Sequence, residues 1–278
     1  MPMPTAARAP AASAPVIEVR DLVAHYGERE ILHRVSFSVA PGEIRVIMGG
    51  SGSGKSTLLR RLLGLERPSS GSIRVLGREL TQMSERELSE LSRRVGVAFQ
   101  GGALFSSMTV GENVMLPLRE HTRLDRQTME IMMRLKLEVV NLAGFERLLP
   151  SELSGGMVKR AAFARAIIMD PAILYCDEPS AGLDPVVSSA LDELILRLRD
   201  ALGTTIVVVT HELESAFRIA DRITVLDRGE VLVEGTVAQV RESPSPRVQN
   251  LLHRRFEEEE VDPEEYLARL TGEEVRRA

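Results

Sequence analysis

The run Gly49-Gly50-Ser51-Gly52-Ser53-Gly54-Lys55-Ser56-Thr57 sets small residues around one lysine in the order G-x-x-x-x-G-K-[ST]. Such residues let the backbone curl until successive N–H groups point inward, and a helix beginning near Lys55 adds the positive end of its dipole. A polyphosphate settles in that loop, with Lys55 reaching the β- and γ-phosphates as a point charge and the Ser56 hydroxyl ligating Mg²⁺. The apolar run 44–48 just before it reads as a buried strand, the context the pattern requires; without it the same residues describe a flexible Gly/Ser turn.

Two further segments bear chemistry. Ile173-Leu174-Tyr175-Cys176-Asp177-Glu178 is an apolar strand ending in two carboxylates, where ligands sit in covered sheets. Asp177 is placed to hold Mg²⁺ through its water shell, and Glu178 to polarise a water that attacks a γ-phosphate. Taken alone, the pair reads equally well as a polar loop after a buried strand. Leu153-Ser154-Gly155-Gly156-Met157 opens a helix for which Ser154 is a good N-cap, and its glycines let an anion approach the first-turn N–H groups. Ordinary capping explains that turn as well until its position is considered.

These residues need a frame. At 278 residues the chain is long enough for one large domain, or a domain with an appendage, around a substantial core. A single cysteine, Cys176, excludes an internal disulfide and suits a reducing compartment. Residues 1–15, rich in Ala and Pro without an apolar core, read as a disordered leader. No stretch approaches the roughly 18 apolar residues that cross a bilayer, so work at a membrane requires another chain to span it. Residues 257–278 hold nine acidic and three basic residues, a net of −6 within an overall −5, leaving +1 for the rest. A near-neutral body gives no basic face for nucleic acid.

Along the chain, residues 16–23 and 31–39 alternate like half-exposed strands and predict an antiparallel front portion. Strand signals follow at 72–76 and 95–99, helical periodicity over about 109–169 with Pro117 and Pro150 as breaks, then strands at 173–176, 205–209 and 223–226 separated by helices such as 186–202. Alternation of this kind implies an α/β fold: a mostly parallel covered sheet with a helical lobe beside it. Met129, Met132 and Met133, near helical spacing with Leu135 and Leu137, read as core filler of that lobe.

The order of these motifs resembles the nucleotide-binding subunit of ATP-binding cassette (ABC) transporters, over about residues 16–235. Leu153 to Met157 matches the family's signature motif, Gln100 its glutamine loop, Ser180-Ala181-Gly182-Leu183-Asp184 the loop after the catalytic carboxylate, and His211 its switch histidine. Met157 departs from the Gln of many members. The resemblance implies a P-loop NTPase with a RecA-like core, an antiparallel β subdomain and a helical signature-motif subdomain at about 104–168. The cassette spans 16–245, with an acidic helical extension at 246–278. It implies that ATP and Mg²⁺ are bound, that Tyr26 stacks on adenine, and that Gln100 touches Mg²⁺ or the attacking water. His211 is implied to hydrogen-bond the γ-phosphate and the water of Glu178, and Asp184 to span a subunit interface. A surface tyrosine near a turn is the plainer reading of Tyr26. The family works as a head-to-tail homodimer, in which Ser154, Gly155 and Gly156 of one copy complete the pocket built on Lys55 of the other.

A closer resemblance is to the ATPase of Mla-type lipid-asymmetry transporters. It rests on Gln100-Gly101-Gly102-Ala103-Leu104-Phe105, on residues 108–110, on Asn113-Val114 and 117–122, and on 151–157 including Met157. It implies phospholipid cargo, an integral-membrane permease dimer docked near residues 100–121, a membrane-anchored substrate-binding ring, often a small regulatory subunit, and a peripheral position on the cytoplasmic face of the inner membrane. In the tail, Tyr266, Leu267 and Leu270 share a helical face that either grips the neighbouring ATPase or forms a loosely docked solubilising helix. A DNA-repair or chromosome-organising ATPase would need a long coiled-coil insertion between Lys55 and Ser154, and no heptad run is present. A translation factor would carry two cassettes, and the chain has one phosphate loop. Transport of another substrate, and ATP-gated regulation of a membrane enzyme without cargo, both stay open.

Overall fold

The computed structural model describes residues 14–253. Nearly all of the leader and the acidic tail, including the face formed by Tyr266, Leu267 and Leu270, lie outside the described residues.

Strands β1 (Ile17–Tyr26), β2 (Arg29–Val39), β4 (Ser70–Val75) and β5 (Arg78–Glu79) form an antiparallel sheet in the order β2-β1-β4-β5. Its alternation buries Ile17, Val19, Leu22, Leu32, Val35 and Phe37, with register shifts between the paired β1 and β2 moving the period of two by one residue after Val19 and after Leu32. The second sheet runs β10-β9-β3-β8-β7-β6, from β3 (Ile44–Met48), β6 (Val95–Ala98), β7 (Ile173–Asp177), β8 (Thr205–Thr210), β9 (Arg222–Asp227) and β10 (Glu230–Gly235). β3, β6, β7, β8 and β9 pair in parallel; only β10 is antiparallel. β3 and β8 are buried at every position, which explains their predominantly apolar residues, Arg45 excepted.

Helix α1 (Lys55–Leu62) follows β3, and α2 (Glu85–Ser92) precedes β6. The helical lobe comprises α3 (Val110–His121), α4 (Arg126–Val139) and α5 (Gly155–Ala166). The chain returns through α6 (Pro185–Leu202), α7 (Leu213–Ile219), α8 (Val237–Arg241) and α9 (Pro246–Leu252). The helix starts are legible from residue type. Thr109 and Glu112 exchange the two bonds of a capping box at α3, Asp184 caps α6 with Pro185 behind it, and Gly203 at φ 63° closes α6 in the left-handed region. Packing continues through α9, past residue 245, because Val248 is fully buried and Arg247 Nε donates to Asp227 Oδ2 at 2.8 Å.

Two local expectations differ from the structure. Pro117 lies inside α3 instead of breaking it, since the buried Val114 and Leu118 around it hold the helix against the lobe for one more turn. Of the residues grouped with the methionines, Met133 and Leu137 enter the core while Leu135 is 56% exposed. α4 packs mainly on α3 and α5, so the face two residues out of phase points to solvent.

A buried guanidinium helps tie the two sheets, beside the bond from the His33 N–H on β2 to the Gly229 carbonyl at 2.8 Å and a shared apolar core. Arg45 on β3, 1% exposed, donates from Nε to Glu43 Oε1 at 2.7 Å, from Nη1 to Glu234 Oε1 at 2.6 Å and Thr224 Oγ1 at 3.0 Å, and from Nη2 to the Ser38 carbonyl at 2.6 Å. It thus joins β2 of the first sheet to β3, β9 and β10 of the second. Removing one partner of a buried pair strands the other charge, at about 3–5 kcal/mol. Arg45→Ala should therefore lose stability on that scale in urea titration, and a loss near zero would show that the network is not holding the sheets together.

Candidate nucleotide site

Four loops meet at one edge of the parallel sheet because the strands that carry them end in register. Met48 lies opposite Thr210, Asp177 opposite Val209, and Ala98 opposite Cys176. Residues 49–54, Gln100, Glu178 and His211 follow directly.

The loop 49–57 closes against the sheet. A Cβ on Gly49 would stand 2.1 Å from the Leu226 carbonyl oxygen and 2.6 Å from Ser53 Oγ, so only glycine permits that approach. Gly54, at φ 101°, caps α1 and hands the chain to the helix. Lys55 Nζ donates to the carbonyls of Gly49 and Gly50 at 2.8 Å each, which holds the ammonium over the loop with donor capacity to spare. Burial pulls its pKa down, and the carboxylates of Glu178 and Asp177 pull it back up. Ser56 is exposed beside it, with Gly50, Ser51 and Gly52 exposed at the loop's rim and Thr57 half-buried. Arg29 and Ile31 complete a cleft of about 290 Å³ over residues 52–57.

Glu178 is held from several sides. Its carboxylate contacts His211 Nδ1 at 2.8 Å through Oε1 and accepts from the buried Thr210 hydroxyl at 3.2 Å through Oε2. An ionised carboxylate only accepts, which puts the ring proton on Nδ1. Its backbone sits at φ 45°, in the left-handed region, at a cost of about 1–2 kcal/mol for a residue with a Cβ. The Glu178 N–H donates to the Val209 carbonyl at 2.8 Å. Asp177, beside it, is half-buried; burial first and then repulsion from Glu178 push its carboxyl upward.

The residues suit a Mg²⁺-triphosphate. Ser53 Oγ is buried in the loop without a partner, Lys55 faces two carboxylates, and Asp177 sits where added positive charge lowers its energy. Ser56 and Asp177 offer the one hydroxyl and one carboxylate that Mg²⁺ commonly takes alongside phosphate oxygens. A carboxylate fixed by an imidazole and a hydroxyl can accept a proton from water, and an ammonium over a glycine loop can stabilise charge on phosphate.

The remaining candidates sit on separate elements. Tyr26 ends β1 with 78% of its surface exposed, a free ring face for a planar base. Ser154 caps α5, its Oγ accepting from the Met157 N–H at 3.4 Å. A Cβ on Gly156 would meet Val187 Cγ1 at 2.6 Å, and one on Gly155 would reach Leu183 Cδ2 at 3.5 Å, so this turn lies against the segment 183–187. The Asp184 carboxylate accepts from the N–H groups of Val186 at 3.0 Å and Val187 at 3.1 Å. Gln100 is exposed just past β6, with its carbonyl taken by Lys159. Sequence reasoning missed Lys159 and Arg165; three cations, Lys159, Arg160 and Arg165, in a helix of otherwise apolar and small residues, 155–166, are the signal that was present.

The ABC transporter family profile matches residues 32–181. The chain is 42% identical over 237 residues to an "Intermembrane phospholipid transport system ATP-binding protein MlaF" of Haemophilus influenzae, covering 85% of this chain and 90% of the relative. It is 40% identical over 239 residues to a "Probable ribonucleotide transport ATP-binding protein mkl" of Mycobacterium leprae, covering 86% and 69%. Among solved structures it is similar to a dimeric post-hydrolysis state of the ATP-binding cassette MJ0796 bound to ADP and Pi, with a TM-score of 0.73, 31% identity, and coverage of 80% of this chain and 98% of that one. The motif order, the sheet edge that gathers the motifs and this likeness along most of the chain agree: the chain belongs to the ABC transporter family.

Proposed function

We propose that the chain is the ATP-hydrolysing subunit of a phospholipid transporter, acting as a head-to-tail pair beneath a separate permease. ATPase activity accompanies the family; the observation that carries the assignment of its parts is Glu178, gripped by His211 and Thr210 one residue beyond Asp177 and electrostatically coupled to Lys55. In this reading Glu178 takes the proton of the attacking water while His211 keeps the carboxylate oriented and contacts the γ-phosphate. Lys55 and the N–H groups of residues 49–57 neutralise the phosphates, and Tyr26 stacks on the adenine. Ser56, Asp177 and Gln100 would hold Mg²⁺, which would supply neutralisation of the triphosphate charge.

Ser154, Gly155 and Gly156 are exposed or half-exposed at the start of a helix and serve the partner copy's triphosphate, with Asp184 beside them at the shared surface. Binding closes the pair, and hydrolysis with phosphate release opens it. The permease feels that motion through a groove of about 340 Å³ between β6 and α3, lined by Phe99, Leu116, Pro117, His121 and Met169. Among the described residues no helix is long and apolar enough to cross a membrane, so the permease provides the span. Phospholipid as cargo is supported by the MlaF relatives; transport of another substrate is the second reading, favoured by the ribonucleotide-transport name of the mycobacterial relatives. A membrane-anchored substrate-binding ring, a small regulatory subunit and a place on the cytoplasmic face of the inner membrane complete the proposal.

Glu178→Gln should bind MgATP and trap a closed pair while turnover falls on the order of 10²-fold or more; near-normal hydrolysis would remove Glu178 from the role of base. Lys55→Ala should instead weaken nucleotide binding itself, read by titration with a fluorescent ATP analogue. Purifying the assembled complex and identifying its bound lipid by mass spectrometry should yield phospholipid; a complex that carries and moves a nucleotide instead would establish the second reading.

A further inference from the structure

Helix α5 begins at Ser154 and then turns two cations inward. Lys159, 8% exposed, donates from Nζ to the Glu178 carbonyl at 3.1 Å and to the Gln100 carbonyl. Arg165, nearer the C-terminal end, donates to the carbonyls of Gly102 at 2.8 Å and Ala103 at 2.7 Å. One rigid helix therefore holds the glutamine loop at three carbonyls and the catalytic-carboxylate residue at one.

An ammonium is an expensive way to fill that space. Desolvation works against the charge of Lys159, and a methionine would occupy a similar volume at no such cost. What the ammonium gives in return is a pair of directional bonds to two segments that belong to different loops. One of them is the carbonyl of a residue whose backbone is already in the left-handed region; without the ammonium that carbonyl keeps only the longer bond from the Ala181 N–H at 3.3 Å, so the restraint on the Glu178 backbone weakens.

From this geometry we infer that Lys159 is a positioning residue for hydrolysis, a strut that fixes Glu178 in its own chain's pocket according to where the Ser154 turn of the same helix sits. The inference rests on the reading in which Glu178 serves the chain's own nucleotide and Ser154 the partner's. Lys159 touches neither nucleotide; it carries the position of α5 from one pocket of the pair to the other. Nucleotide engaging Ser154 shifts or steadies α5, and the ammonium passes that to the Glu178 backbone.

The test compares Lys159→Met and Lys159→Arg in the full chain, measuring kcat, KM and the Hill coefficient for MgATP, with Glu178→Gln as reference. Lys159→Met should lower kcat on the order of 10–100-fold, the scale of a misplaced catalytic group, with KM within about twofold of the parent. Its Hill coefficient should fall to one. Lys159→Arg, which retains charge and donors, should recover most of kcat and the cooperativity. If Lys159→Met yields no folded protein, Lys159→Gln, with a donor but no charge, is held to the same thresholds. Hydrolysis and cooperativity unchanged in the folded neutral variant would overturn the inference, as would equal losses in the Arg and neutral variants. A dead Glu178→Gln beside a normal Lys159→Met rejects the strut alone, whereas an active Glu178→Gln rejects the underlying site.

Discussion

Everything at the nucleotide edge depends on the requirement that neighbouring parallel strands end on the same side of their sheet. β3, β8, β7 and β6 run in one direction and in matched register, so each delivers its following loop to a single line. Antiparallel pairing of any one of them would send its loop to the opposite edge. The burial of both sheet faces follows from the same choice, since the crossover connections must cover the strands they join. Arg45 then helps set the antiparallel sheet against this frame, bonding Glu43, Thr224 and Glu234 on the parallel sheet's side and the Ser38 carbonyl on β2.

The site distributes strain and restraint unevenly. The phosphate loop is made permissive by glycine: Gly54 takes a backbone angle that costs glycine little, and Gly49 leaves room for the Leu226 carbonyl. Glu178 is the opposite case, a residue with a full side chain kept in an uncommon conformation by its surroundings. Its N–H and both carboxylate oxygens are engaged by the consecutive residues Val209, Thr210 and His211, and its carbonyl by Lys159 on α5. In the proposed role as base, Glu178 gains from being already oriented, because reorganisation then adds little to the barrier.

The linear order of residues discloses the chemistry better than the mechanics. The phosphate loop and the strand ending in Asp177 and Glu178 are contiguous, and their periodicity and residue types are enough to place the elements. Helix starts at Thr109, Ser154 and Asp184 are readable for the same reason, since a cap acts within one turn. Pro117 misleads because its cost as a helix breaker is local while the packing of Val114 and Leu118 is not. The exposure of Leu135 depends on which neighbours α4 has, and spacing alone does not state that. Lys159 and Arg165 are hardest to foresee: their acceptors are backbone carbonyls, which every residue possesses, so residue type gives no hint of the partner.

Cys176 sits in the middle of β7, fully enclosed, and burial raises its thiol far above the ordinary range. It is the chain's single cysteine. Being protonated and out of reach of solvent, it is silent toward electrophiles while the fold is intact. A surface position replaced by cysteine, on the rim of the phosphate loop or on the outer face of α4, therefore becomes a unique attachment point for a fluorophore or spin label. The opening and closing of two copies can be followed by distance spectroscopy in a chain whose native sulfhydryl needs no removal.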